Sequence, residues 1–386
     1  MHKRSCDIQS IMIRFRFLSL VCFLIVFACR PAITGAQTLN HNEKQDKKAK
    51  IGLLIPDPEA LAAKHGAELA IRKANEAGGN WTYQLVVRST EGPWGAGSKE
   101  SVSMVFEDEV VAIIGSLDGR NAHLAEQVAT KTRIVFLSSW ATDMTLSKAF
   151  VPWYFRCIPN DHQQAVSLVQ EIYHRRKLKN VAIVAMEAYD SRYAASTFIK
   201  VTGSMNIAAP REYVCDPSGQ HLPGILTEIE ELGIEAVVLF GGPEFASKII
   251  PVLKQQSMNQ MIFGTLAVGD GQKAISPDWK TLEGIVLVSS GHWFTEEGMA
   301  FQKEFLKSFG YQPGAAAAYA YDGINIIIGV IRRAGADRDM IIESFVEAHH
   351  KSGITGDIQF DAKGNRSGNS GLMTIRKGNP YMIAVD

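Results

Sequence analysis

Apolar runs of four to seven residues recur between Lys50 and Ser290, and several are apolar at every position. They are Lys50–Ile55 (KIGLLI), Tyr83–Arg88 (YQLVVR), Val110–Gly115 (VVAIIG), Arg133–Ser138 (RIVFLS), Asn180–Met186 (NVAIVAM), Arg211–Val214, Glu235–Gly241 (EAVVLFG), Gln260–Gly264 (QMIFG) and Gly284–Ser290 (GIVLVSS). A strand without polar alternation is covered on both faces, which is the condition of a strand inside a parallel sheet. Helical spacing fills the gaps. In Glu59–Ala77 the stripe Ala63, Ala67, Ala70, Ile71, Ala74 lies opposite Lys64, Glu68 and Arg72, and Gly78-Gly79 ends the pattern. Further helices are predicted over Ser98–Glu107, Asn121–Lys131, Asp161–Arg176, Arg192–Val201, Leu222–Leu232, Glu244–Gln256, Glu296–Phe309, Gly314–Ala334 and Asp337–His350. Strand and helix alternate, so the fold class is α/β with mainly parallel sheet. The rhythm breaks near Ala149–Asp161, where Pro152, Pro159 and the aromatics Trp153, Tyr154 and Phe155 intervene. Two similar open α/β units joined by extended crossings follow from that interruption.

The first 36 residues are built differently. Lys3, Arg4, Arg14 and Arg16 precede an apolar run, Leu18–Ala28, that is too short for an ordinary membrane-spanning helix. Small residues follow at Thr34 and Ala36, so the segment reads as a secretory signal peptide cleaved after Ala36. Cys29 offers a second reading, lipid attachment, although Phe27 is bulky for such a site; the polar stretch Gln37–Ala49 would then be a tether. Removing the leader takes five basic residues and one acidic residue from 40 of each, and leaves the rest about four charges negative. That balance gives no support for nucleic-acid binding. The leader also takes three of the five cysteines, and leaves Cys157 and Cys215 as either one disulfide or two buried thiols.

In open α/β sheets, ligands bind beyond the carboxyl ends of the strands. The loops at those ends are 56–59, 89–97, 116–120, 139–143, 187–193, 242–245 and 265–271. Enzyme motifs are absent from them. No GxGxxG follows the first strand, Gly92–Lys99 lacks a GK[ST] in register, and there is no HExxH, CxxC or GxSxG. His349-His350 reads as a polar helix end rather than a metal site. The expectation is a protein without catalysis, cofactor or metal.

Six segments in order resemble the type I periplasmic binding proteins, in particular the branched-chain amino-acid (Leu/Ile/Val-binding) group that serves ABC importers. They are Gly66–Gly79, Ala112–Ser116, Phe136–Leu146, Trp153–Asp161, Ala320–Gly335 and Gly353–Gly364. The resemblance implies two Rossmann-like lobes joined by three crossing strands. One lobe would take 50–156 plus 291–353, the other 157–290 plus 354–386. Ligand would be trapped when the lobes close. It further implies a periplasmic protein, with a small-molecule ligand and with a membrane permease and its ATPase as partners. A ligand sensor feeding a receptor or regulator is the alternative.

The resemblance also nominates the pocket. Ser116, Asp118, Gly119 and Arg120 form the first loop, with Gly119 where the family often has a serine. Arg120 reads either as a carboxylate partner or as a solvated helix-start arginine. Ser138, Ser139, Trp140, Ala141 and Thr142 form the second loop. Thr142 is its best polar contact, and Trp140 is either an aromatic wall or a packing residue. Tyr189 or Tyr193 would close over the ligand, with Pro243 and Glu244 beside it. Leu266 stands where amino-acid binders commonly carry an acid, so either Glu244, Asp270 or Asp118 substitutes for it or the ligand is not an α-amino acid. Trp94 reads either as filling the gap left by the short segment 56–66 or as a surface aromatic.

Overall fold

The computed structural model describes residues 47–148, 151–219, 221–255 and 260–384. The expected leader with Cys29, residues 37–46 of the tether, the helix end at Gln256 and the last two residues of the second lobe lie outside the described residues.

The chain runs β1 (Lys47–Ile55), α1 (Leu61–Glu76), β2 (Trp81–Ser89), α2 (Ala96–Phe106), β3 (Ala112–Gly115), α3 (Gly119–Thr132), β4 (Val135–Ser138) and β5 (Tyr154–Arg156). These strands form a parallel sheet in the order β2-β1-β3-β4-β5. The second run is α4 (Asp161–Val169), β6 (Val181–Met186), α5 (Tyr189–Ser204), β7 (Arg211–Cys215), α6 (Leu222–Glu231), β8 (Ala236–Phe240), α7 (Pro243–Gln255), β9 (Met261–Gly264), α8 (Leu266–Gly269) and β10 (Val286–Ser289). After it come α9 (Glu296–Phe309), α10 (Ala315–Ala334), α11 (Arg338–Val346), the short pair β11 (His349–His350) and β12 (Ile358–Gln359), then β13 (Gly371–Arg376) and β14 (Asn379–Ile383). The second sheet has the order β14-β13-β10-β9-β8-β6-β7, parallel from β10 to β7 and antiparallel through β13 and β14.

The fully apolar runs became the buried central strands. Ile51, Leu53, Ile113, Ile114, Ile183, Val184, Val237 and Val238 have no exposed surface. Helices cover both faces, and α1 lies so close to α10 that a Cβ on Gly66 would stand 2.1 Å from the Ala317 carbonyl oxygen. The chain passes between the sheets three times: after β5, after β10, and between β12 and β13. Arg156 anchors one passage to another: its N–H donates to the Gly364 carbonyl at 2.8 Å and its carbonyl accepts from the Arg366 N–H at 2.9 Å. Asp322 on α10 accepts from the Ile354 and Thr355 N–H groups at 3.0 and 2.9 Å. Cys157 and Cys215 are separate, buried free thiols.

Four expectations change. Lys47–Ala49 start β1 rather than end a tether, because Ala49 is buried and Lys47 pairs in register with Trp81. The segment after α4 widens into a π-helix, Gln170–Arg175, in which the Arg176 N–H reaches the Glu171 carbonyl five residues back. That turn lets Arg175 and Arg176 both bond the buried Glu171 carboxylate, at 3.0 and 2.7 Å. Strands β5 and β11 to β14 had no forecast. His349 and His350 do not end a helix: their backbones pair with Ile358–Gln359, and His349 Nε2 meets Asp357 Oδ2 at 2.9 Å.

Candidate functional site

The carboxyl ends of β2, β3 and β4 in one sheet face those of β6, β8 and β9 in the other. Between them lies a cleft of about 640 Å³, within the usual range for small-molecule sites. From the first-sheet side it is lined by Thr90, Gly92–Gly95, Asp118, Arg120, Asn121, Trp140 and Thr142. From the other side come Ile158, Asp161, Gln164, Met186, Ala188–Ser191, Ala194, Phe240–Pro243, Thr265–Ala267 and Asp270–Gln272. Of the sequence candidates it gathers Trp94, Asp118, Arg120, Trp140, Thr142, Tyr189, Pro243, Leu266 and Asp270. Loop 56–59 contributes nothing to it. Trp94 is 80% exposed and therefore sits at the rim. Trp140 serves both readings, since it lines the cleft and packs on the apolar core.

The other candidates lie outside the lining. Ser116 is buried and its hydroxyl donates to Gln272 Oε1 at 2.7 Å. Ser138 and Ser139 turn into the sheet end and donate to the Ala141 and Gly115 carbonyls, while Ala141 is buried in the core behind the loop. Tyr193 stacks on Tyr189 at 6.3 Å. Glu244 points to solvent, with its side chain 79% exposed and paired to Lys273 at 2.7 Å. Salt pairing at the surface outcompetes a position in the cleft, so Glu244 does not substitute for the acid that Leu266 lacks.

Gly119 is occupied in an unexpected way. Its N–H, at the start of α3, donates to Asp190 Oδ1 at 3.1 Å, and Oδ2 lies 3.3 Å away. A Cβ on Gly119 would come within 2.8 Å of that carboxylate. The small residue and the aspartate across the cleft are therefore complementary. Burial and the nearby Asp118 charge push the Asp190 carboxyl up to about 6.

The loop carrying Thr142 is held from below. The fully buried Arg156 guanidinium donates to the Thr142 and Asp143 carbonyls at 2.7 and 2.8 Å. Asp143 accepts from the Thr145 N–H and hydroxyl and from the Tyr189 hydroxyl, the last at 2.9 Å across the cleft. Burial alone would raise its carboxyl; His123 and these donors hold it below the usual range. The hydrogen bonds to Asp143 and Glu126 raise His123 to about 9.

Three acids were invisible as site residues in the sequence: Asp143, Asp161 and Asp190. Asp190 lies inside the flagged loop 187–193, one residue after Tyr189. Asp161 opens α4, whose capping box is Asn160 with Gln163. Its side chain is 5% exposed, and burial pushes it up to about 7, opposed by the Thr142 hydroxyl and Arg156. Burial likewise raises Asp270 to about 7. Asp270 sits so near the start of α10 that a Cβ on Gly314 would stand 1.9 Å from its Oδ2. Gln164 is spent on the backbone, accepting from the Leu266 N–H at 3.0 Å and donating to Pro159 at 3.1 Å. No cluster suited to a metal ion occurs among the described residues.

The arrangement can enclose a small molecule and hydrogen-bond it, with side chains from both lobes around it. The comparisons agree with that geometry. A family model described as periplasmic binding protein matches residues 49–379. A Leu/Ile/Val-binding protein homolog of Brucella abortus is 22% identical over 315 residues, covering 79% of this chain and 82% of its own. The branched-chain amino acid transporter substrate binding protein of Streptococcus pneumoniae, solved with isoleucine, superposes with a TM-score of 0.74 at 21% identity, over 87% of this chain and 99% of that one. A solute binding protein of Rhodopseudomonas palustris, solved with 3,4-dihydroxy benzoic acid, gives 0.75 at 17% identity, over 87% and 96%. With its two mainly parallel-sheet lobes, three passages and the cleft between them, the chain has the type I fold and belongs to the periplasmic binding protein family.

Proposed function

We propose that the protein captures a small polar organic solute, an amino acid or a compound of similar size, outside the cytoplasmic membrane. It then hands the solute to an ABC permease driven by its ATPase, and performs no chemistry on it. The observation that carries this reading is the cleft: about 640 Å³, lined from both lobes, with hydroxyl, amide and carboxylate groups beside Trp140 and Tyr189. Polar groups withdrawn from water in such a space need partners, and a polar solute supplies them. The export leader and the names of the relatives support the location and the transport role. The mass of the mature N-terminus separates release after Ala36 from a lipid on Cys29.

A thermal-shift screen of amino acids, amines, amides and small acids tests the capture. A true ligand at 100 times its Kd should stabilise the fold by about 2.7 kcal/mol. Thr142→Val should weaken binding of that ligand by about 1–3 kcal/mol, because a buried polar partner is lost, and should leave the circular dichroism spectrum unchanged. Unaltered affinity would remove the second loop from the site.

A further inference from the structure

The charge on the cleft wall is one-sided. Asp118, Asp161, Asp190 and Asp270 face it, against Arg120. Two of these acids already occupy places that would otherwise receive an anion. The N-terminus of a long helix attracts negative charge through its free N–H groups. Helix α3 presents such an end, and Asp190 takes its Gly119 N–H. Helix α10 presents another, and Asp270 is pressed against its Gly314, where the Gly271 and Ala316 N–H groups act on the carboxyl against burial and its buried Oδ2 has no hydrogen-bond partner. The missing side chain at Gly119 is what makes room for Asp190. The seats for a solute carboxylate are thus filled from within the chain.

The acid that faces the cleft clear of those two seats is Asp161, at the start of α4. It is 5% exposed and lines the cleft, and the Thr142 hydroxyl and the Arg156 charge act on its carboxyl against the effect of burial. The Arg156 guanidinium is committed elsewhere, to the Thr142 and Asp143 carbonyls. A buried carboxylate without an ion pair of its own is costly until a cation reaches it. Trp140 and Tyr189 line the cleft from opposite sides, and the Tyr189 ring already carries a cation on one face, the Arg120 guanidinium at 4.9 Å. Aromatic faces of this kind hold ammonium groups.

We propose that the solute is a compact organic cation, a primary amine or related ammonium compound without a carboxylate, held by Asp161 between Trp140 and Tyr189. This narrows the capture reading above and rests on it. Asp190 then acts as an internal carboxylate that excludes amino acids from the α3 end.

Isothermal titration at pH 8 tests it, on exported protein that has been unfolded and refolded to remove carried-over solute. The probes are leucine and isoleucine, the matching amines 3-methylbutylamine and 2-methylbutylamine, and putrescine and agmatine. At least one amine should bind wild type ten-fold or more tightly than either amino acid. Asp161→Asn should weaken that amine a hundred-fold. Asp190→Ala should raise amino-acid affinity ten-fold or more, whereas Asp190→Asn, which keeps an acceptor for the Gly119 N–H, should not. Thermal melts of each variant check that it folds. If an amino acid binds wild type more tightly than every amine, capture stands and the cation assignment is overturned. The assignment is also overturned if Asp161→Asn leaves amine affinity intact. If none of the probes binds, both the assignment and the capture of amino-acid-sized solutes fail together.

Discussion

Asp143 shows how one residue ties the site to stability. It is 2% exposed, yet it stays ionised because His123, Thr145 and Tyr189 all reach it. His123 Nε2 lies 3.4 Å from its Oδ2, and His123 Nδ1 lies 3.4 Å from Glu126. The sign of the pH effect follows from the two shifts. His123 rises to about 9 in the folded chain, so its contribution is complete below its unfolded value of about 6.5. It is lost as pH climbs through 9. Asp143 is depressed, so its contribution is present above about 3.8 and fades as pH falls further. His123→Gln should therefore cost about 1 kcal/mol at pH 6, discounted for a partly exposed ring. Urea titrations of wild type and variant should converge by pH 9.5. A constant difference from pH 6 to 9.5 would mean that the ring acts by packing rather than by charge.

Among the elements, α1 and α10 pack in close contact in the first lobe. Gly66 faces Ala317 with no room for a methyl group. Gly66→Ala should destabilise by about 1–3 kcal/mol through overpacking, read as a lower urea midpoint with an unchanged slope. The stripe of small residues that permits this contact was legible: Ala63, Ala67, Ala70 and Ala74 keep helical spacing, and all are buried. The central strands were equally legible because burial on both faces leaves an apolar run with no polar interruption. Strands β13 and β14 were not. They form an antiparallel hairpin at the sheet edge, where only Leu372 to Ile375 are buried, and Pro380 stands in β14. The site was half legible for a related reason. Loops at strand ends follow from the α/β rhythm, so Thr142, Tyr189 and Asp270 were within reach. The bond from Gly119 to Asp190 spans 71 positions, and no local pattern announces a partner that distant. Glu244 failed for the opposite reason: its sequence neighbourhood was right, but its side chain turns outward to Lys273.

For the whole molecule, the three passages and the bonds across the cleft make the two lobes depend on each other. Tyr189 to Asp143, Asp190 to Gly119 and Gln272 to Ser116 all bridge the gap. The Gln272 carbonyl also accepts from the Ala62 N–H at 2.9 Å. Cys157 lies in the first passage, wholly buried, and burial pushes its thiol up to about 12. Cys215 lies at the end of β7, also without exposed surface. Native protein should therefore resist iodoacetamide at both positions, with mass spectrometry finding each thiol alkylated only after denaturation; rapid native labelling at Cys157 would mean that the passage breathes. The buried thiol is thus a built-in clock. Cys157 can be trapped only during the moments when the first passage opens, so the half-time of its alkylation counts those moments directly, and any molecule that holds the passage closed would slow the clock without itself touching sulfur.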